Sequence, residues 1–263
     1  MAVHVYRRTL RDQRRALAGW GGAVTLLVLL MAALWPSVHD IFDAQLLQAY
    51  PEPFQRLFDL EAMATGAGFL NAELFGIILP GMFIAYGVGR GARLIAGEEQ
   101  DGVLEVIVVT PVSRTRLLLE KAAALATGVI GLGAVLLVVT VAGSVVMDMA
   151  IPVGHAVVGV MAMVLIGVQH GWLALAVGAA TGRRSFAVVT AVAVAVAGYA
   201  LHVVGALVDT LAPWQPLSPF TQAIDTGPVS GTVPVGFAWL ALTAGVFLAA
   251  AVPLFSRRDL ASV

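Results

Sequence analysis

Residues 93–121, RLIAGEEQDGVLEVIVVTPVSRTRLLLEK, form a charged segment set between two long apolar runs. Within it the apolar stretch 103–109 is interrupted only by Glu105. A helix of that length reaches about 10 Å, far short of a bilayer core of about 30 Å. The stretch is therefore an apolar surface held in water, of the kind that docks a partner.

Working outward, the flanking runs decide the class. The chain is 59% hydrophobic and 12% charged, with a mean hydropathy of +0.91, which excludes an ordinary soluble domain. Six apolar runs approach the roughly 20 residues that a membrane-spanning helix needs: 16–35, 70–89, 122–147, 156–180, 186–208 and 235–255. They predict an all-α membrane protein with one transmembrane domain over 1–263. Pro80 falls inside the second run and predicts a kink there. The first run is long for a signal peptide and lacks a small-residue cleavage site before Ser37, so it reads as an uncleaved span.

Charge orients the spans. The basic residues are fourteen Arg and Lys121, and only Arg56 falls in a segment on the opposite side from the others. The positive-inside rule then places both termini and the 93–121 segment in the cytoplasm. The expected location is a bacterial cell membrane, crossed several times. A net charge of -1 gives no nucleic-acid footprint, and the absence of cysteine removes disulfides and thiolate metal sites.

The connecting segments are short. Arg7, Arg8, Arg11, Arg14 and Arg15 oppose a stripe of Val3, Tyr6, Leu10 and Leu17, which suits an amphipathic elbow helix in the headgroup plane leading into span one. A plain basic topogenic tail would use the same arginines. The outer segment 36–69 carries apolar residues split at Pro51 and Pro53 and reads as two short helices capping the bundle. The loop 209–234, rich in Pro and aromatics, suits either a re-entrant half-helix or an anchor at the interface.

Catalytic chemistry has no support. Lys121 is the sole Lys and does not sit in a Gly-x-x-x-x-Gly-Lys-Ser/Thr loop, so ATP hydrolysis by that route is excluded. The five His form no His-Glu-x-x-His metal site, and no Gly-x-Ser-x-Gly elbow occurs. No catalytic or metal residues are assigned. Gln169, His170 and His202 are polar residues within spans, suited either to a transport path or to hydrogen bonds between helices. No Asp, Glu, Lys or Arg lies deep in a span, which argues against transport driven by an ion gradient.

The order of motifs resembles the ABC-2 type transporter permeases. The run Ala96 to Glu105, then Pro111-Val112-Ser113-Arg114 and Glu120-Lys121, is similar to that family's cytoplasmic segment between spans two and three. Leu217-Ser218-Pro219-Phe220 resembles its last outer loop, and Phe255 to Leu260 its C-terminal ending. The resemblance implies a permease subunit of an ATP-binding cassette exporter. Glu98, Glu99, Gly102, Leu104, Glu105, Pro111, Ser113, Arg114 and Arg116 would then form a coupling helix that sits in a cleft of the ATPase. ATP and Mg would be bound by that partner, a separately encoded P-loop ATPase, and no cofactor by this chain. A second copy or a sister permease would complete a dimer in the lipid. Local propensity favours strand over 103–109, since β-branched residues lose freedom in helices, so the coupling helix is what the resemblance implies. The apolar spans point to a hydrophobic or amphiphilic substrate such as a drug, antibiotic or lipid-like molecule. The alternative is a non-transporting anchor or assembly factor that recruits a cytosolic partner through 93–121.

Overall fold

A computed structural model describes residues 4–41, 65–103 and 113–258, and every element among them is helical. The helices are α1 (His4–Ile41), α2 (Gly66–Leu70), α3 (Ile78–Ala92), α4 (Glu98–Gln100), α5 (Arg114–Val146), α6 (Val153–Thr181), α7 (Arg184–Leu207), α8 (Pro219–Ile224) and α9 (Gly236–Arg257). Two π-helical turns, Asn71–Phe75 and Arg93–Gly97, flank α3, and 3-10 turns occupy Ala212–Leu217 and Pro228–Ser230.

Five helices, α1, α5, α6, α7 and α9, are long and apolar enough to cross a membrane. The sixth crossing is a bent one: Gly66–Phe75 and Ile78–Gln100 meet at 44°. Pro80 accounts for the bend, because its ring collides with the carbonyl four residues back, at Gly76, and it has no N–H to offer. Ile77 leaves the helical region at φ -142°, and the ladder restarts where Gly81 N–H donates to the Ile77 carbonyl at 3.0 Å.

The bent pair follows α6 along its length, Phe75 facing Gly159 and Ala96 facing Gly178, as one crossing does. Lys121 meets the Leu94 carbonyl, while a Cβ on Gly128 would touch the Tyr86 hydroxyl, so the second and third crossings run antiparallel. A Cβ on Gly87 would meet Gly167 and one on Gly91 would meet Gly171, so the second and fourth run parallel. Gly131 faces Leu17 and Gly143 faces Ala32, so the first and third also run parallel. Six alternating crossings return the chain to the end where it began. α6 is the most buried of the long helices and packs against α3, α5, α7 and α9.

The N-terminal segment departs from expectation. Among the described residues no separate elbow helix precedes span one; the basic turns and the span form the single helix α1. Its 38 residues extend about 57 Å, nearly twice the hydrocarbon thickness. Neither Gly nor Pro interrupts 5–17, so nothing in the chain breaks the helix there. The buried stripe also differs, because Thr9 and Gln13 are buried and continue through Val24, Val28, Ala32 and Trp35 along α5. The arginines stay exposed on the other side. Most of the expected outer helices lie at 42–64, outside the described residues.

Candidate functional site

The ends of five segments converge at one end of the bundle. They are the start of α1, the 93–102 end of the second crossing, the first turns of α5, the 181–184 hairpin and the end of α9. Every Arg and Lys among the described residues lies at this end. The other end carries Glu73, Asp148, Asp209 and Asp225.

The π-turn Arg93–Gly97 brings Leu94 and Glu98 to face α5. Lys121 is 1% exposed, and an ammonium there must be paired or pay heavily in lost hydration. Its Nζ donates to the Leu94 carbonyl at 2.6 Å and forms an ion pair with Glu98. π-turns recur at functional sites, and this one aims a carbonyl and a carboxylate at the same cation.

Glu99, the next residue, pairs with Arg258 after α9. The Arg258 guanidinium also donates to the Ala179 and Gly178 carbonyls, at 3.0 and 3.4 Å, in the last turn of α6. Gly182 ends α6 at φ +66°, and a Cβ there would lie 3.0 Å from Arg258 Nη1 and 3.1 Å from Glu99 Oε1. Glycine thus serves both the left-handed cap and the room for the pair. Arg114 Nη1 donates to the Arg258 carbonyl at 2.6 Å.

Ser113 caps α5 by accepting from Arg116 N–H at 3.4 Å. Arg116 pairs with Glu120 at 3.1 Å, and Glu120 accepts from Tyr6 N–H at 3.3 Å, which ties α1 to the same end. Gly102, at φ +70°, closes the turn after α4 by donating its N–H to the Glu99 carbonyl at 3.0 Å.

Glu98, Glu99, Gly102, Ser113, Arg114 and Arg116 are therefore gathered at one end. Leu104, Glu105 and Pro111 lie outside the described residues. Glu98, Glu99 and Arg114 face inward partners, whereas Gln100, Asp101, Gly102 and Arg116 present the water-facing surface. Sequence reasoning did not single out Lys121, Arg258 or Gly182 as site residues. Lys121 stands in the Glu120-Lys121 motif and Arg258 in the 255–260 ending, but neither motif points to a partner, and a lone Lys heading an apolar run reads equally well as a topological charge.

The polar residues inside the spans do not form one cluster. Gln169 Nε2 donates to Thr243 Oγ1 at 2.6 Å and joins α6 to α9. His170 Nδ1 lies 2.9 Å from the Ile166 carbonyl, which can only accept, so Nδ1 is the donor of that bond. Its Nε2 is buried and has no partner among the described residues. His202 Nδ1 meets Thr221 Oγ1 at 2.9 Å, and its carbonyl accepts from Gln215 at 3.1 Å.

His202 belongs to a second feature, since the loop 209–234 turns back into the bundle. Gln215 packs against Gly205 and Pro219 against Gly198, nine residues inside α7 from its end at Leu207, a depth of about 14 Å. Buried Ser218 caps α8 by accepting from Phe220 and Thr221 N–H, and its hydroxyl donates to the Gly198 carbonyl at 2.7 Å. Phe220 meets Tyr199 edge-on at 5.2 Å. The loop thus carries a six-residue helix, α8, packed against α6, α7 and α9.

Residues 8–256 match the family described as Multidrug efflux system permease Rv1217c, C-terminal domain. No curated protein sequence matches the chain.

Proposed function

Because the chain belongs to that multidrug efflux permease family, we propose that it is the membrane subunit of an ATP-driven exporter, worked from its charged end by a separate ATPase. The observation that carries this reading is the convergence of the basic residues among the described residues, the 93–102 segment and the ends of spans two, three, four and six on one face. The positive-inside rule puts that face in the cytoplasm, where an ATPase is found. Segment 98–116 is the contact, with Glu105 and the apolar stretch 103–109 at its centre.

Docking and closure of the ATPase would push on this segment. The ion pairs to Lys121 and Arg258 would carry the push into the spans and bias the bundle between inward-open and outward-open states. ATP and Mg belong to the ATPase. The route for cargo would lie between two permeases, this chain and a second copy or a sister. Two features support that placement: α3 and α6 touch backbone to backbone inside one bundle, and α7 presents an exposed apolar face through Val189, Val192 and Val196. An apolar face at that boundary suits a hydrophobic or amphiphilic cargo.

The test is reconstitution with a separately encoded P-loop ATPase, which the exporter reading expects in the neighbouring gene. Glu105→Arg and deletion of 103–109 are each expected to abolish coupled transport. Undiminished ATPase assembly and transport in both variants would falsify the assignment.

A further inference from the structure

We propose that Arg258 is the positioning residue that joins the ATPase-facing segment to spans four and six, an inference that rests on the exporter reading above. Four crossings meet on this one residue. Its guanidinium holds Glu99 from the second and the Gly178 and Ala179 carbonyls from the fourth. Its backbone carbonyl is held by Arg114 from the third, and it directly follows the sixth. The Glu98–Lys121 pair, by contrast, joins only the second and third.

The chemistry suits a rigid connection. A guanidinium is planar, always charged and fixed in donor geometry, so it can hold a carboxylate and two carbonyls at once without rearranging. The C-terminus of α6 carries partial negative charge, which favours the cation on that side as Glu99 does on the other. Gly182 supplies the slot, since a Cβ there would stand 3.0 Å from Arg258 Nη1 and press on the pair. The two side chains are 18% and 15% exposed, so salt screens the pair less than a surface pair. Displacement of residues 98–102 therefore reaches α6 and α9 through one side chain, without crossing the undescribed stretch 104–112.

The experiment uses the full chain reconstituted with its ATPase and reads three quantities separately: ATPase recruitment, ATP turnover and transport per ATP hydrolysed. Arg258→Gln and Glu99→Gln are each expected to lower transport per ATP by about tenfold, a loss within the usual range of coupling between sites, and Arg258→Gln, which lies outside the 98–116 contact, is expected to leave recruitment intact. The double variant is expected to lose no more than either single one, because the two residues act as a unit. Arg258→Lys keeps the charge and is expected to fall between wild type and Arg258→Gln. If Arg258→Gln folds poorly in detergent melts, the near-isosteric Glu99→Gln decides. An unchanged ratio in the folded single variants, or losses that add in the double, overturns the assignment of Arg258 alone. A wild-type permease that recruits no ATPase overturns the exporter reading and this inference with it.

Discussion

Gly87 and Gly167 sit so close that no carbon atom fits between them. A Cβ on Gly87 would lie 2.3 Å from the Gly167 carbonyl oxygen, and one on Gly91 would lie 2.1 Å from that of Gly171. Two glycines four residues apart on each helix thus bring α3 and α6 into backbone contact, the close approach on which membrane helices rely when lipid offers no hydrophobic gain between them. Gly87→Val and Gly91→Val are expected to cost about 1–3 kcal/mol each, because the atom in the way is a helix carbonyl and cannot swing aside. Gly81 and Gly89, in the same crossing, have nothing within 4 Å of a built Cβ, so Ala at either should be neutral or slightly stabilising. Thermal melts in detergent separate the two pairs. Equal melting temperatures for all four variants would mean that the contact is absent.

A second prediction concerns Lys121 and Glu98. Lys121 is buried and Glu98 is about a quarter exposed, so their removal is unequal. Lys121→Met leaves a half-sheltered carboxylate and the Leu94 carbonyl without their donor, at an expected cost of about 2–4 kcal/mol, somewhat below the range for fully buried pairs. Glu98→Gln in the same background removes the orphaned charge and should recover part of the loss. A double-mutant cycle on detergent melts measures this, and additive losses would show that the two residues do not interact.

The sequence makes some of these features visible and hides others for physical reasons. Six apolar runs and the kink at Pro80 are legible, because length against bilayer thickness and a missing N–H are local properties. The basic end is legible because the rule that places it counts charges by segment. The partners of Glu98 and Glu99 are not legible: Lys121 is 23 residues from Glu98, and Arg258 is 159 residues from Glu99. Nothing along the chain says which cation each carboxylate will meet. Gly167 and Gly171 advertise a close contact by their spacing, yet only the fold identifies Gly87 and Gly91 as the matching pair. Thr9 and Gln13 were hidden by their polarity, since a stripe sought in apolar residues passes over buried polar ones. Gln13 is buried because its Oε1 accepts from the Tyr86 hydroxyl at 3.3 Å, a neighbour from another crossing.

Ser218 anchors the short helix α8 beside α7. Ser218→Ala removes the acceptor for Phe220 and Thr221 N–H and the donor to the Gly198 carbonyl. Loss of such a cap costs about 0.5–2 kcal/mol, so amide exchange across Pro219–Ile224 should quicken by roughly tenfold. Exchange in α9, measured in the same sample, should stay unchanged. Exchange at 219–224 as slow as in wild type would rule out the anchoring role.

Orientation yields the last prediction, and the absence of cysteine makes it clean. Gln100 is exposed at the basic end and Asp209 is exposed at the other. Arginine-bearing ends stay cytoplasmic because translocating them opposes both insertion and the membrane potential. Gln100→Cys in intact cells should therefore resist a membrane-impermeant maleimide until the cells are opened, whereas Asp209→Cys should react at once. The packing fixes the relative directions of the crossings, so the two labels must behave oppositely whichever way the bundle faces. Labelling of both from outside would break the six-crossing arrangement. Labelling of Gln100→Cys alone from outside would keep the fold, invert it, and move the 93–121 segment away from any cytoplasmic ATPase.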